Sequence, residues 1–157
     1  YQMLDDKLKH VIIYENGEVP DLSEFSRIDE KTKKIKRNDD LQRLIIFDDL
    51  ITHKKANQMA LEYYIKGRKV GFSMVYIGQS FFQIPKMIRD NCQYFILGKN
   101  LLKKDLRLIL SVFPVEMTLD EFSHLYGQLT EEPLSTIIID IQKKSLRKNI
   151  IGEIHKL

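Results

Sequence analysis

Cysteine is nearly missing from the sequence: Cys92 is alone among 157 residues. One cysteine excludes a disulfide scaffold and any cysteine-rich zinc site, and it fits a reducing compartment. Glycine and proline are sparse too, at seven and four residues, which excludes collagen-like and low-complexity chains. No apolar run approaches the ~20 residues of a membrane span; the longest are short pieces such as Leu44-Ile45-Ile46-Phe47. Residues 1–20 carry Asp5, Asp6, Lys7 and Lys9 where a signal peptide would be apolar. A soluble, intracellular chain with no membrane partner is expected.

What is present has an ordinary globular balance, 43% hydrophobic and 30% charged. The length suits one domain over 1–157, large enough to bury roughly two-thirds of the unfolded surface. Lys and Arg number 25 against 22 Asp and Glu, a net charge of +3. The basic residues cluster in Lys31–Arg37, in Lys103-Lys104 with Arg107, and in Lys143-Lys144 with Arg147-Lys148. Acid gathers at Asp5-Asp6, Asp39-Asp40, Asp48-Asp49 and Glu131-Glu132. Basic patches of this kind can hold phosphates, or simply be solvated faces.

Periodicity divides the chain into strands and helices. His10–Tyr14 reads as a strand closed by an Asn16-Gly17 turn, and residues 18–40 as a long surface connection with little structure. Leu44–Phe47 is a second apolar run, stopped by two aspartates. Ala56, Met59, Ala60, Tyr63 and Tyr64 then follow helical spacing up to Gly67. Phe72–Ile77 is a strand closed by Gly78-Gln79-Ser80; a helical turn follows Pro85, and Tyr94–Leu97 is a strand closed by Gly98. Leu102, Leu106, Ile109 and Leu110 make one helical stripe. Thr118-Leu-Asp-Glu121 is a capping box ahead of a second, Phe122, Leu125 and Tyr126. Thr136–Ile141 is the last strand, with a basic tail behind it. Strands apolar throughout, alternating with amphipathic helices, predict an α/β fold whose mainly parallel sheet has helices on both faces.

In such a fold ligands bind at the carboxyl ends of the strands. Two places qualify. Asp48-Asp49 could serve nucleotide hydrolysis, one carboxylate toward hydrated Mg²⁺ and its neighbour toward the attacking water; Asp49 could equally cap the next helix. Gln79 could hydrogen-bond a γ-phosphate and a water, or merely satisfy its turn.

The order of these pieces carries a resemblance. Leu44-Ile-Ile-Phe-Asp-Asp, Gly67-Arg68-Lys69, Gln79-Ser80 and Ile84-Pro85-Lys-Met-Ile88-Arg89-Asp-Asn91-Cys92 resemble the genome-packaging ATPases of large DNA viruses and virophages. These are the poxvirus-type members of the FtsK–HerA superfamily. The likeness is densest over residues 41–100. It implies a RecA-like P-loop NTPase core, with 10–100 as hydrolysis core and 101–157 as the C-terminal part of the same domain. It further implies ATP and Mg²⁺ as cofactors, and double-stranded DNA, a homo-oligomeric ring of this chain and capsid proteins as partners. The implied location is the host cytoplasm and the virion. By the same resemblance Asp48 is the Walker B aspartate on the magnesium, and Asp49 stands where the superfamily commonly has a catalytic Glu. Gln79 is the sensor glutamine that meets the nucleotide. Arg68 is the arginine that reaches a neighbouring subunit's nucleotide, with Arg89 as second choice; each could also be an ordinary surface or helix-terminal charge.

One departure stands out. None of the seven glycines begins the Gly-x-x-x-x-Gly-Lys-Ser/Thr loop that such a motor needs. The expectation is that the first strand and P-loop are absent from these residues and precede Tyr1, so that this fragment alone is inactive. Other classes stay open. A catalytically silent DNA-binding or assembly module on the same fold is one. A metal-dependent nuclease built on Asp140-Ile-Gln142-Lys143-Lys144 is another. The four histidines are scattered and make no zinc motif. Cys92 reads as a buried small side chain, and Phe81 and Phe82 as core residues or DNA contacts.

Overall fold

The computed structural model describes residues 12–25, 27–28, 35–36, 42–113, 117–149 and 154–156, those at 27–28, 35–36 and 154–156 by backbone alone. The chain divides into two compact units, Tyr1–Ile77 and Gly78–Leu157.

In the first unit, β1 (Arg27–Ile28) and β2 (Ile35–Lys36) form a short antiparallel ladder. β3 (Arg43–Asp48) pairs in parallel with β4 (Phe72–Ile77), from Arg43↔Phe72 to Asp48↔Ile77. Between them runs α1 (Lys54–Lys66), and four of the five residues of its expected stripe are buried: Ala56, Ala60, Tyr63 and Tyr64. Aromatic edges join helix to sheet. Phe47 lies 5.6 Å from Tyr63 with the rings at 67°, and Tyr63 lies 5.1 Å from Phe72 with the rings at 87°. Gly67 ends α1 as expected, but the chain coils on through a 3-10 turn, Gly67–Val70, before reversing at Gly71 (φ 84°). A Cβ on Gly67 would meet Met74 and Phe72 at 3.4 Å, so the turn lies against β4 at ordinary contact distance.

The second unit holds an antiparallel sheet in the order β5 (Tyr94–Leu97), β6 (Ile137–Asp140), β7 (Ser145–Lys148), β8 (Ile154–Lys156). α2 (Lys86–Asp90) precedes it, and α3 (Lys103–Val112) and α4 (Leu119–Leu129) connect β5 to β6. Phe95, Leu97, Ile137, Ile139 and Leu146 pack with Leu106, Ile109, Phe113, Phe122 and Tyr126 into one core. The capping box of α4 forms as expected: Thr118 Oγ1 accepts the Glu121 amide, and Glu121 Oε2 accepts the Thr118 amide. The Thr118 amide and then the Thr118 hydroxyl, both donating to Oε2, hold the Glu121 carboxyl below its ordinary range.

Several expectations need correction. The pairing is not mainly parallel: among the described strands only β3·β4 is. A single helix between strands returns the chain for parallel pairing, but α3 and α4 are two, and the second reverses it again. The tail after β6 is itself a strand. Ile141–Lys144 form a tight turn, with Lys144 at φ 49° and the Lys143 amide bonded to Asp140 Oδ1, which folds β7 back as a hairpin. Nor, among the described residues, do helices cover both faces of β3·β4. Leu44 and Ile46 are 61% and 47% exposed on the face away from Phe47. Ile12–Tyr14 are not in a strand, although the Asn16-Gly17 turn forms, both residues having positive φ; His10 and Val11 lie outside the described residues. In the described part of 18–40 there is more structure than expected: Pro20 and Leu22 are buried, and a 3-10 turn spans Leu22–Phe25.

The Tyr63 hydroxyl, buried in the first unit, donates to the Pro20 carbonyl at 3.0 Å. Burial, then nearby acidic groups, push its pKa well above the ordinary 10.0. A raised value in the fold means that this stabilisation is complete below about pH 10 and is lost as pH rises beyond it. Tyr63→Phe should cost about 1–3 kcal/mol at neutral pH. Urea unfolding should also show the variant losing less stability than wild type between about pH 9 and about pH 11. Equal alkaline losses would clear Tyr63 of the effect.

Candidate functional site

The β3·β4 ladder delivers the two aspartates. The Arg43 amide donates to the Gly71 carbonyl at its start, and the Asp49 amide to the Ile77 carbonyl at its end, 3.2 Å. Strand pairing thus runs one residue past Asp48 and stops at Asp49, which turns left-handed (φ 48°, ψ 40°). Aspartate is among the few non-glycine residues enriched there. Both aspartates are exposed. Asp49 sits at the head of the 3-10 turn Leu50–Thr52, yet its side chain makes no capping bond to it, and α1 begins only at Lys54 behind His53. The capping alternative for Asp49 therefore lacks its bond.

A polar cluster fixes this corner. Asn57, in the first turn of α1, donates through Nδ2 to the Leu50 carbonyl (2.8 Å) and the Ile51 carbonyl (3.4 Å). Its Oδ1 accepts the Tyr76 hydroxyl at 2.6 Å. Burial, and secondarily the negative charge of Asp49, raise the Tyr76 pKa. Asn57 and Tyr76 escaped the sequence reading. Both sit at regular positions of a helix and a strand, where nothing in the local pattern sets them apart.

Arg68 lies in the Gly67–Val70 turn, exposed, at the opposite end of the strand pair from the aspartates. Five residue steps of strand separate the two ends by roughly 17 Å. The structure does not bring Arg68 to its own chain's Asp48-Asp49.

Gln79 and Arg89 belong to the second unit. Gln79 is exposed on the segment leaving β4, ahead of a 3-10 turn, Phe81–Gln83. Arg89, in α2, is half-buried instead of being a surface charge. Its guanidinium lies 5.3 Å from the Phe81 ring centroid, and among the described residues its Nε and Nη1 are buried without a hydrogen-bond partner. Both residues are thus tied to the turn after β4. Asp105, missed from sequence, is the buried carboxyl that this turn bonds to. An acid in the first turn of a helix was the available signal.

The remaining candidates have structural work. Asp140 Oδ1 accepts the Lys143 amide at 2.9 Å, which spends the proposed nuclease carboxyl on a hairpin turn. Among the described residues no cluster of three or more His, Cys, Asp or Glu could hold a metal ion. The Cys92 thiol is half-buried and points at the Ile88 carbonyl. Phe81 is buried, but Phe82 is 60% exposed. No helix among the described residues is long and apolar enough to cross a membrane.

The mixed α/β chain with paired carboxylates at a parallel strand's end matches one family model. The match, Poxvirus A32 protein, covers residues 6–143. The chain belongs to this family, the genome-packaging ATPases of poxviruses. It matches no curated protein.

Removing the Asn57 amide should loosen the corner that carries Asp49. We expect Asn57→Ala to cost roughly 1–3 kcal/mol and to speed amide hydrogen exchange in Leu50–Thr52. Unchanged exchange there would show that the backbone ladder alone holds the loop.

Proposed function

We propose that these residues form the hydrolysis side of an ATP-driven motor that moves double-stranded viral DNA during genome packaging. Support comes from family membership together with one observation: a parallel strand ends in two exposed aspartates, the second turned left-handed and not used as a helix cap. The reading takes 1–157 as one domain on a RecA-like core, working as a ring of copies in the host cytoplasm and on the virion, against capsid proteins.

Mg²⁺ commonly uses one or two carboxylates and fills its remaining positions with water and phosphate oxygens. The exposed Asp48 carboxylate fits that need without a metal cluster around it. When bound, the ion would neutralise charge that develops on the phosphates. Asp48 holds the metal side, Asp49 orients or deprotonates the attacking water, and Gln79 meets the γ-phosphate and water as a neutral amide. Arg68 is assigned to a neighbouring copy's nucleotide, an assignment favoured by its place at the far end of the β3·β4 pair. Arg89, with two buried donors unmatched, is the second choice. The 157 residues contain no Gly-x-x-x-x-Gly-Lys-Ser/Thr loop, so the phosphate cradle is not assigned to any of them, and alone they should not turn over ATP.

In a protein that also carries the phosphate loop, Asp48→Asn should weaken Mg²⁺-dependent nucleotide binding and abolish turnover. Asp49→Asn should keep nucleotide bound while hydrolysis falls by on the order of 10² or more. Wild-type hydrolysis in Asp49→Asn would sink the assignment and leave the silent module. Arg68→Ala rings should regain activity when mixed with subunits that keep Arg68 but carry Asp49→Asn. No rescue in intact mixed rings would remove Arg68 from the site.

A further inference from the structure

One buried carboxyl fastens the segment that carries Gln79. Asp105 is 1% exposed. Its Oδ1 accepts the Ser80 hydroxyl at 3.0 Å and the Phe82 amide at 2.7 Å, and its Oδ2 accepts the Leu102 amide at 3.3 Å. A single side chain thereby joins the turn after β4 to the first turn of α3. Between the two bonded residues, the Phe81 ring is set into the core against Phe95 at 4.9 Å. Ser80–Phe82 and the start of α3 must therefore move together, or a buried acceptor loses its donors.

The outer side of the same junction faces solvent. The exposed Phe82 ring lies under Lys104, with Nζ 5.3 Å from its centroid. Arg107, also exposed, stands three residues along α3 and shares that helix face. Lys103 is engaged with Asp120 at 3.0 Å, so Lys104 and Arg107 are the cations that this turn presents beside an aromatic plate. Cations reach DNA phosphates in any sequence, and an apolar ring suits the sugar between them.

We propose that Phe82, Lys104 and Arg107 contact the DNA backbone, and that Asp105 passes the state of this contact to the segment holding Gln79. DNA engagement would then set hydrolysis. The relay rests on the role given to Gln79 above; the DNA patch does not. Phosphates drawing Lys104 off the Phe82 ring would shift the first turn of α3. Asp105 would carry that shift to Ser80 and Phe82, adjacent to Gln79.

The test uses the full-length ATPase, with binding to a labelled duplex of random sequence and ATP turnover with and without that duplex. Lys104→Ala with Arg107→Ala should lower DNA affinity by about tenfold or more and reduce the log-affinity against log-salt slope by about 2. Phe82→Ala should weaken DNA binding with the slope unchanged. Asp105→Asn should bind DNA and ATP within about twofold of wild type yet lose the DNA stimulation of kcat, a split that general loosening of the fold would not produce. Ser80→Ala, which removes one bond and leaves the buried carboxyl intact, should lose part of that stimulation and serves if Asp105→Asn does not fold. Wild-type affinity in the double variant overturns the patch. Full stimulation in Ser80→Ala overturns the relay. Wild-type turnover in Gln79→Ala would instead bring down the reading of Gln79 and the relay with it, while the binding results still decide the patch.

Discussion

The first unit depends on the in-register parallel pairing of Arg43–Asp48 with Phe72–Ile77. Slipping β3 by one residue would send Phe47 to the open face and Ile46 to the helix, and slipping β4 would do the same to Tyr76 and Val75. The aromatic contacts between Phe47, Tyr63 and Phe72 oppose the slip. The Arg43 guanidinium adds to them, lying 5.7 Å from the Phe25 and Phe72 rings and donating to the Val70 carbonyl. Register in turn sets where the ladder ends, and the end is the Asp49 amide on the Ile77 carbonyl. Packing at one end of the strand pair thus fixes the carboxylates at the other.

How much of this could be read from the residues depended on range. Local signals worked. The helical spacing of Ala56, Ala60, Tyr63 and Tyr64 marked the buried face of α1, and Thr118 with Glu121 marked the start of α4. Strand pairing is not local, and there the reading of a mainly parallel sheet failed. Two helical stripes between Tyr94–Leu97 and Ile137–Asp140 were visible, and their number already implied a reversed return. Apolar strands also suggested cover on both faces, whereas Leu44 and Ile46 remain exposed. At the candidate site the strand-end aspartates stood out because a break in hydrophobicity marks them. The bonds that join Asn57 to Tyr76 and Asp105 to Ser80 span 19 and 25 residues, which no short window shows.

Clustered charge in the sequence is not equivalent charge in the fold. Lys148 pairs with Glu132 at 2.8 Å and is partly covered. Lys143 and Lys144 occupy the turn between β6 and β7. Lys103 faces Asp120. Exposed pairs such as these contribute little stability, but they lower the local potential that a phosphate would meet. Most of the Lys31–Arg37 cluster lies outside the described residues. In the described part, the start of α3 differs from the other basic segments because an exposed aromatic ring lies against its lysine.

The two units solve the same mechanical problem alike. In each, a segment leaving a strand carries residues proposed for hydrolysis, and in each a short polar side chain from the first turn of a helix holds that segment. Asn57 of α1 grips the carbonyls of Leu50 and Ile51 and the Tyr76 hydroxyl. Asp105 of α3 takes the Ser80 hydroxyl and the Phe82 amide. Their chemistry differs in a way that matters. An amide both donates and accepts, so Asn57 bridges two carbonyls to a phenol and closes its own network. The Asp105 carboxyl here only accepts, and every donor it meets belongs to a segment ending at the surface, near Gln79 on one side and Lys104 on the other. The first arrangement is suited to holding a corner still, the second to making two surface segments move as one.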